Sequence, residues 1–198
     1  TDNDLEVMSG WLPRVTDELP FDVYSLSFGE FFGADPDAFI ADVDLWAAAM
    51  ATHAPTAELH ATVHVGDDQR VSYQGEDLIY YMLVKHADPR IVSDVHTVMF
   101  YDLYEDAGGA YDHDDFAEHR AYLLDQMRAG RVGSYLPETA YWVAFDNSVP
   151  LSMPLYVRNR WLDLDGLASD AAAEGLAPLD THILFSSGWE WGYWLHDT

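Results

Sequence analysis

The regular alternation of strand-like and helix-like segments is the feature that most restricts the fold of this chain. Five short runs rich in β-branched and aromatic residues are each followed by loop and helix signals. Strand and helix repeated in this way predict parallel β-α units rather than an antiparallel sheet. The predicted strands are residues 21–30, 58–66, 95–106, 131–136 and 181–187.

The segments between these strands carry helix signals of differing quality. Asp35 as N-cap and Pro36 at the first helical position predict a helix over residues 36–53. A short helix is predicted from Gly75, a loop over 107–115 and a helix over 114–129. Further helical pieces are predicted around 156–164 and over 169–176, and residues 1–20 as a short helical or irregular lead-in.

Each predicted strand ends at a polar residue that could serve a binding site. These residues recur at intervals of 34 to 52 positions, a spacing typical of the units of a (β/α)-barrel. A complete eight-stranded barrel needs about 250 residues. The 198 residues therefore predict a single α/β domain, a partial (β/α)₈ TIM-type barrel of about five units that is truncated at its C-terminus. The strand-end residues are Glu30, His64, Asp102, Glu138 and Glu190.

An open doubly wound parallel sheet is the alternative architecture. Such sheets often bind nucleotides through a Gly-x-Gly-x-x-Gly turn after the first strand, or through a Gly-x-x-x-x-Gly-Lys-[Ser/Thr] loop. Neither motif occurs in the chain. The sequence therefore predicts no nucleotide cofactor, and no other cofactor.

The charge of the chain limits its partners. Nine basic residues against 35 acidic ones give a formal net charge of −26, and Lys85 is the only lysine. Such a field repels nucleic acid and anionic membranes and favours neutral ligands. The chain has no cysteine and no apolar run long enough for membrane insertion. We expect an extracellular or periplasmic protein or, alternatively, one from the cytoplasm of a salt-adapted organism.

Two stretches combine a carboxylate with aromatic rings at a predicted strand end. Glu138 is followed within one turn by Tyr141 and Trp142. Glu190 lies between Trp189 and Trp191. Aromatic rings can cover the apolar faces of a sugar while a carboxylate takes up its hydroxyls or protons. These stretches therefore predict carbohydrate as the substrate or ligand.

This layout resembles that of the (β/α)₈-barrel glycoside hydrolases. The resemblance implies a hydrolase in which two carboxyl groups flank the glycosidic bond of a neutral glycan. It implies Glu138 and Glu190 as the catalytic pair, with Asp102 and Glu105 in reserve. The remaining substrate-binding candidates are Glu30, His64, Glu105, Tyr141, Trp142, Trp189 and Trp191. Which carboxylate acts as the acid, the stereochemical outcome, the glycan and the oligomeric state stay open.

Every candidate also has a structural interpretation. Glu138 could cap a helix, Asp102 could cap a turn, and His64 could be a satisfied structural histidine. Arg158 and Arg160 could pair with acids. The alternative function is accordingly a non-catalytic carbohydrate-binding or structural protein on a barrel scaffold. The acidic clusters, such as residues 112–115, are interpreted as solvated surface, and no metal site is predicted.

Overall fold

A computed structural model describes residues 2–19, 21–28, 35–66, 68–138 and 154–184 of the chain. Among these residues the strands are β1 (Val23–Leu26), β2 (Glu58–Val63), β3 (Arg70–Tyr73), β4 (Glu76–Ile79), β5 (Ile91–Thr97), β6 (Asp106–Ala110), β7 (His113–Asp115), β8 (Ser134–Pro137) and β9 (Thr181–His182). The α-helices are α1 (Asp2–Glu18), α2 (Pro36–His53), α3 (Ala117–Arg128) and α4 (Pro154–Glu174), and a 3₁₀-helix covers Tyr80–His86.

Five of the strands form one parallel sheet, which confirms the predicted α/β class. Its strand order is β1-β2-β5-β8-β9, the order of the strands in the chain. Within the described residues β1 and β9 are the two ends of this sheet, and a closed barrel is not shown. None of the described helices is long and apolar enough to cross a membrane.

Strand β5 lies at the centre of the sheet order and is buried over its whole length. Its burial agrees with the prediction of a strand covered on both faces. The predicted extent, 95–106, is wrong, because the strand ends at Thr97. The chain turns immediately afterwards: Tyr101 N–H donates to Val98 O at 3.2 Å, and Met99 has a φ of 52°. The apolar run continues through this turn, so hydrophobicity alone could not locate the end of the strand.

Two β-hairpins occupy segments that were predicted to be a helix and a loop. Strands β3 and β4 pair antiparallel where a helix was predicted to begin at Gly75. Gln74 and Gly75 both have positive φ, 51° and 86°, as a two-residue type I′ turn requires. Strands β6 and β7 form the second hairpin within the predicted loop 107–115, and its turn residues Tyr111 and Asp112 likewise have positive φ.

The helices follow their sequence signals more closely. Helix α2 has the predicted bounds, and the side chain of Asp35 accepts hydrogen bonds from the first-turn N–H groups of Asp37 and Ala38. Helix α4 is continuous where two pieces were predicted. Position 166, inside α4, requires a glycine, because a Cβ atom there would come within 2.3 Å of the Tyr104 ring. The lead-in is a 17-residue helix, α1.

The chain divides into two compact units. The first comprises Thr1–Val63 and Gln69–Ser93, and the second His64–Asp68 and Asp94–Thr198. The buried side chains of the first unit include Leu12, Val43 and Ile79. Those of the second include Phe116, Leu123, Tyr135 and Leu167. All side chains of the candidate site described next belong to the second unit.

Candidate functional site

The site is built where β5 and β8 end side by side. The two strands are parallel and pair His96 with Leu136, and the N–H of Glu138 donates to Thr97 O at 2.9 Å. This register places His96 Nε2 at 3.8 Å from Glu138 Oε1. The two side chains are only 10 % and 12 % exposed. A histidine and a glutamate therefore face each other, largely out of water, at the carboxyl ends of adjacent strands.

The ring of His96 is held in one tautomer by the backbone. Its Nδ1 lies 2.8 Å from Leu136 O, and a carbonyl oxygen can only accept, so Nδ1 carries the proton. Burial, and then the nearby His64, lower the pKa of His96 to about 3. At neutral pH the ring is therefore neutral and presents an unprotonated Nε2 to Glu138.

The surroundings of Glu138 favour the protonated, neutral form of its carboxyl group. Burial raises the pKa of its carboxyl group. The backbone N–H of Met99, which donates to Glu138 Oε2 at 2.5 Å, and the positive charge of Arg160 oppose this shift only in part. The turn that ends β5 thus supplies a hydrogen bond to one carboxyl oxygen and leaves the other facing His96.

His64 joins this site through His96. It directly follows β2, and its ring centroid lies 4.8 Å from that of His96, at an interplanar angle of 32°. Two buried histidines hold the segment in place: His119 Nε2 lies 3.2 Å from His64 O, and Gly66 N–H donates to His113 Nε2 at 3.2 Å. The position of His64 is therefore set by hydrogen bonds within the second unit.

A buried ion pair lies next to Glu138. The guanidinium of Arg160 donates to Glu138 O at 2.8 Å and to Tyr101 O at 2.5 Å. It also lies 3.0 Å from Asp163 Oδ2, on the same helix α4. The pair is 3 % and 0 % exposed, and its hydrogen bonds tie α4 to the turn that follows β5 and to the end of β8.

Asp163 is the centre of a hydrogen-bond network. Its Oδ1 accepts from Leu103 N–H at 2.7 Å, and its Oδ2 accepts from the Tyr135 hydroxyl at 2.7 Å. The Tyr135 hydroxyl also lies 2.8 Å from Thr97 Oγ1. Burial raises the pKa of Asp163 to about 6, against the opposing effect of Arg160. Asp163 is thus ionised above that pH, and its oxygens are occupied by structural donors.

The reserve carboxylates Asp102 and Glu105 have roles of their own. Asp102 is buried, and its Oδ1 accepts from the N–H groups of Tyr104 and Glu105 at 2.8 and 2.7 Å, which closes a tight turn. Glu105 is exposed and forms a bidentate ion pair with Arg158, with N–O distances of 2.6 and 2.9 Å. The first arrangement matches the structural interpretation given above to Asp102, and the second matches that given to Arg158.

The structure therefore brings together two of the predicted site residues, Glu138 and His64, through a third that was not predicted. Their positions are compatible with the predicted catalytic and substrate-binding roles, which stay predictions. The remaining candidates lie outside the described residues: Glu30, Tyr141, Trp142, Trp189, Glu190 and Trp191.

His96 was missed because the predicted strand began and ended too late in the chain. In the predicted strand 95–106 it was the second residue, whereas the observed strand Ile91–Thr97 ends one residue after it. One signal was available: His96 is the only histidine in the largely apolar run from Val95 to Tyr101. Asp163 and Tyr135 carried no comparable signal, because their pairing depends on the packing of α4.

Metal binding has no geometric support in the described part of the chain. There, no three or more His, Asp or Glu side chains are grouped so that they could hold a metal ion. The four histidines of this region, His64, His96, His113 and His119, contact backbone groups and each other.

Comparison of the chain with protein-family models, with curated proteins and with solved structures found no match. The site therefore has to be interpreted from its own chemistry.

Proposed function

We propose that the protein is a glycoside hydrolase-like enzyme that uses Glu138 as its general acid on a neutral glycan. The observation that carries this proposal is the nearly buried carboxyl group at the carboxyl end of β8, which burial holds towards its protonated form. A glycosidic bond breaks when an acid protonates the leaving oxygen, so the acid must keep its proton near neutral pH. Burial shifts the pKa of Glu138 in the direction that this role requires.

The second carboxylate of the proposed pair is Glu190. It lies outside the described residues, so the distance from its carboxyl group to that of Glu138 stays open. A separation of about 5–5.5 Å would imply retention of configuration, and about 6.5–9.5 Å inversion. The aromatic residues predicted to bind sugar flank Glu190 and follow Glu138 in the sequence.

Two further features support the proposal. The net charge of −26 disfavours anionic substrates, which leaves neutral glycans as the better substrate class. The strand order follows the chain without the reversal that a doubly wound sheet has, which favours the barrel interpretation of the fold. Barrel enzymes place their catalytic groups at the carboxyl ends of the strands, where Glu138 lies.

A non-catalytic carbohydrate-binding or structural protein is the second candidate. The observation that favours it is the burial of Glu138 itself: its carboxyl group accepts from the backbone N–H of Met99, and its backbone oxygen accepts from the guanidinium of Arg160. A carboxyl group in this environment could stabilise the turn after β5 without taking part in a reaction.

The test uses Glu138→Gln, which preserves shape but removes the transferable proton. We expect the wild type to hydrolyse at least one member of a panel of neutral aryl glycosides. For substrates with a poor leaving group, the variant should lose about 10²- to 10⁴-fold in kcat/KM. For dinitrophenyl glycosides of the same sugar the loss should be small, because their leaving group needs no protonation.

Glu18→Gln is the matched control, since Glu18 is a helix-surface glutamate whose side chain is 65 % exposed. It should behave like the wild type on every substrate. A loss in Glu138→Gln that is the same for all leaving groups would show that Glu138 is not the general acid. Glycan binding without hydrolysis by the wild type would support the second candidate.

A further inference from the structure

We propose that His96 is a positioning residue that keeps the dissociable proton on Glu138, because it offers the carboxyl group a hydrogen-bond acceptor and no donor. The catalytic consequence of this inference rests on the proposed function, whereas the location of the proton does not.

The first step is the orientation of the imidazole. The hydrogen bond from Nδ1–H to Leu136 O uses the only proton of a neutral ring. The nitrogen that faces Glu138 Oε1 at 3.8 Å is therefore a lone pair. An ionised carboxylate would present a second acceptor to it, and the two would repel. A protonated carboxyl can donate to it, which favours the neutral acid.

The second step concerns the different partners of the two carboxyl oxygens of Glu138. Oε2 accepts from the backbone N–H of Met99. Oε1 is the oxygen nearer to His96, so a proton on Oε1 satisfies both groups. His96 Nε2 and Glu138 Oε1 are 3.8 Å apart, which is longer than a hydrogen bond. Hydrogen bonds between catalytic groups are often long in the absence of substrate and shorten when it binds.

The third step concerns transfer of the proton to His96, which would create an imidazolium–carboxylate pair. The positive charges near His96 disfavour this: His64, whose ring centroid lies 4.8 Å away, His119 and Arg160 each lower the pKa of His96. The hydrogen bond to Leu136 O acts in the opposite direction but does not outweigh them together with burial. Burial disfavours two separated charges as well. The proton therefore stays on the carboxyl oxygen.

The consequence for the proposed reaction is a carboxyl group that gives up its proton only to a better acceptor. That acceptor is the leaving-group oxygen, which receives the proton as the bond from the sugar carbon to that oxygen breaks. Over the whole cycle one water molecule supplies the hydroxyl group that bonds to the sugar carbon and the proton that restores the acid. His96 does not exchange a proton in this cycle, which distinguishes it from a general base.

The experiment is carbon and nitrogen NMR of the full chain, with the Glu138 carboxyl signal assigned by its loss in Glu138→Gln. In the wild type at neutral pH, we expect a protonated Glu138, a protonated Nδ1 of His96 and an unprotonated Nε2. In His96→Phe, which keeps an aromatic ring but has no acceptor, Glu138 should titrate about one pH unit lower. The alkaline limb of kcat/KM should move down by the same amount.

His60→Phe is the matched control. His60 is also buried on a strand and lies 3.2 Å from a glutamate, Glu58, which is exposed. This variant should leave the Glu138 titration unchanged. A protonated Nε2 in the wild type, or an unchanged Glu138 titration in His96→Phe, would overturn the inference. If His96→Phe does not fold, the wild-type nitrogen spectrum alone decides.

The two proposals fail in different ways. Absence of hydrolysis, together with the expected NMR result, would overturn the proposed function and leave the assigned proton in place. Hydrolysis that depends on Glu138, together with a protonated Nε2, would overturn the role of His96 alone.

Discussion

Two buried acid–base pairs lie side by side in the second unit, and they differ in how completely their hydrogen bonds are satisfied. Asp163 and Arg160 are 3.0 Å apart, and both carboxylate oxygens accept from further donors. Glu138 and His96 are 3.8 Å apart, and within the described residues one carboxyl oxygen faces only the unprotonated nitrogen. Both carboxylate oxygens of Asp163 are thus occupied, whereas one oxygen of Glu138 has capacity for a further partner.

The comparison separates a structural pair from one that can react. An arginine stays charged, so Asp163 above its raised pKa remains a carboxylate held by fixed donors. A buried histidine can be neutral, so its glutamate can hold a proton that a substrate could take. Burial alone therefore does not identify a functional carboxylate. The identity of the partner and the unused hydrogen-bonding capacity do.

The largest effect that would sharpen this comparison is expected from Arg160→Met. At pH 8 this change leaves an ionised Asp163 buried without its counter-charge and leaves Glu138 O and Tyr101 O without their donor. We expect the free energy of unfolding to fall by about 3–5 kcal/mol, measured by urea titration. Glu138→Gln should change it much less. Equal losses in the two variants would remove the distinction between the pairs.

An intermediate effect is expected in the pH dependence of stability. Burial raises the pKa of Asp163 from 3.8 to about 6, so the folded protein binds a proton there that the unfolded chain has lost. Protonation of Asp163 therefore stabilises the folded protein below pH 4. This stabilisation is lost as the pH rises from 4 to 6, and above pH 6 the contribution of Asp163 no longer changes. The fall is at most about 3 kcal/mol.

Asp163→Asn provides the reference for this measurement, because an asparagine at this position does not titrate. The unfolding free energies of the wild type and the variant should be compared from pH 4 to pH 7. The wild type should lose stability relative to Asp163→Asn between pH 4 and pH 6. A difference that stays constant over this range would show that Asp163 is ionised throughout.

The smallest effect is expected from Glu105→Gln, in the exposed ion pair with Arg158. Arg158 lowers the pKa of Glu105, but both side chains are about half exposed, so solvent and salt screen the pair. We expect Tm in thermal unfolding to be unchanged, and kcat/KM on any active aryl glycoside to match the wild type. A clear loss of activity would return Glu105 to the candidate site.

Much of the architecture was predictable from local signals. The cap at Asp35 and the proline after it define the start of α2, since both act on the first turn whatever the rest of the protein does. The carboxyl end of β8 was predicted to within one residue, at 136 against the observed Pro137, because proline disfavours continued strand pairing. Glu138 could therefore be placed at a strand end.

The site needed information that no local pattern holds. The end of β5 depends on a backbone turn at Met99 with positive φ, inside an apolar run that gives no sign of it. The hairpin of β3 and β4 depends on the turn at Gln74 and Gly75, which overrode a weak helix pattern. An error of a few residues in a strand end moves a side chain out of the site.

The sequence by itself determined the α/β class, the acidic surface and the place of Glu138, because strand period, charge and proline chemistry act locally. Only the tertiary structure decided that His96 faces Glu138 with an unprotonated nitrogen. Only the tertiary structure decided that Arg160 and Asp163 are buried together. The partners lie 42 residues apart in the first pair and three in the second. The register of β5 against β8 brings His96 to Glu138, whereas Arg160 and Asp163 are neighbours on α4 and the packing of that helix buries them.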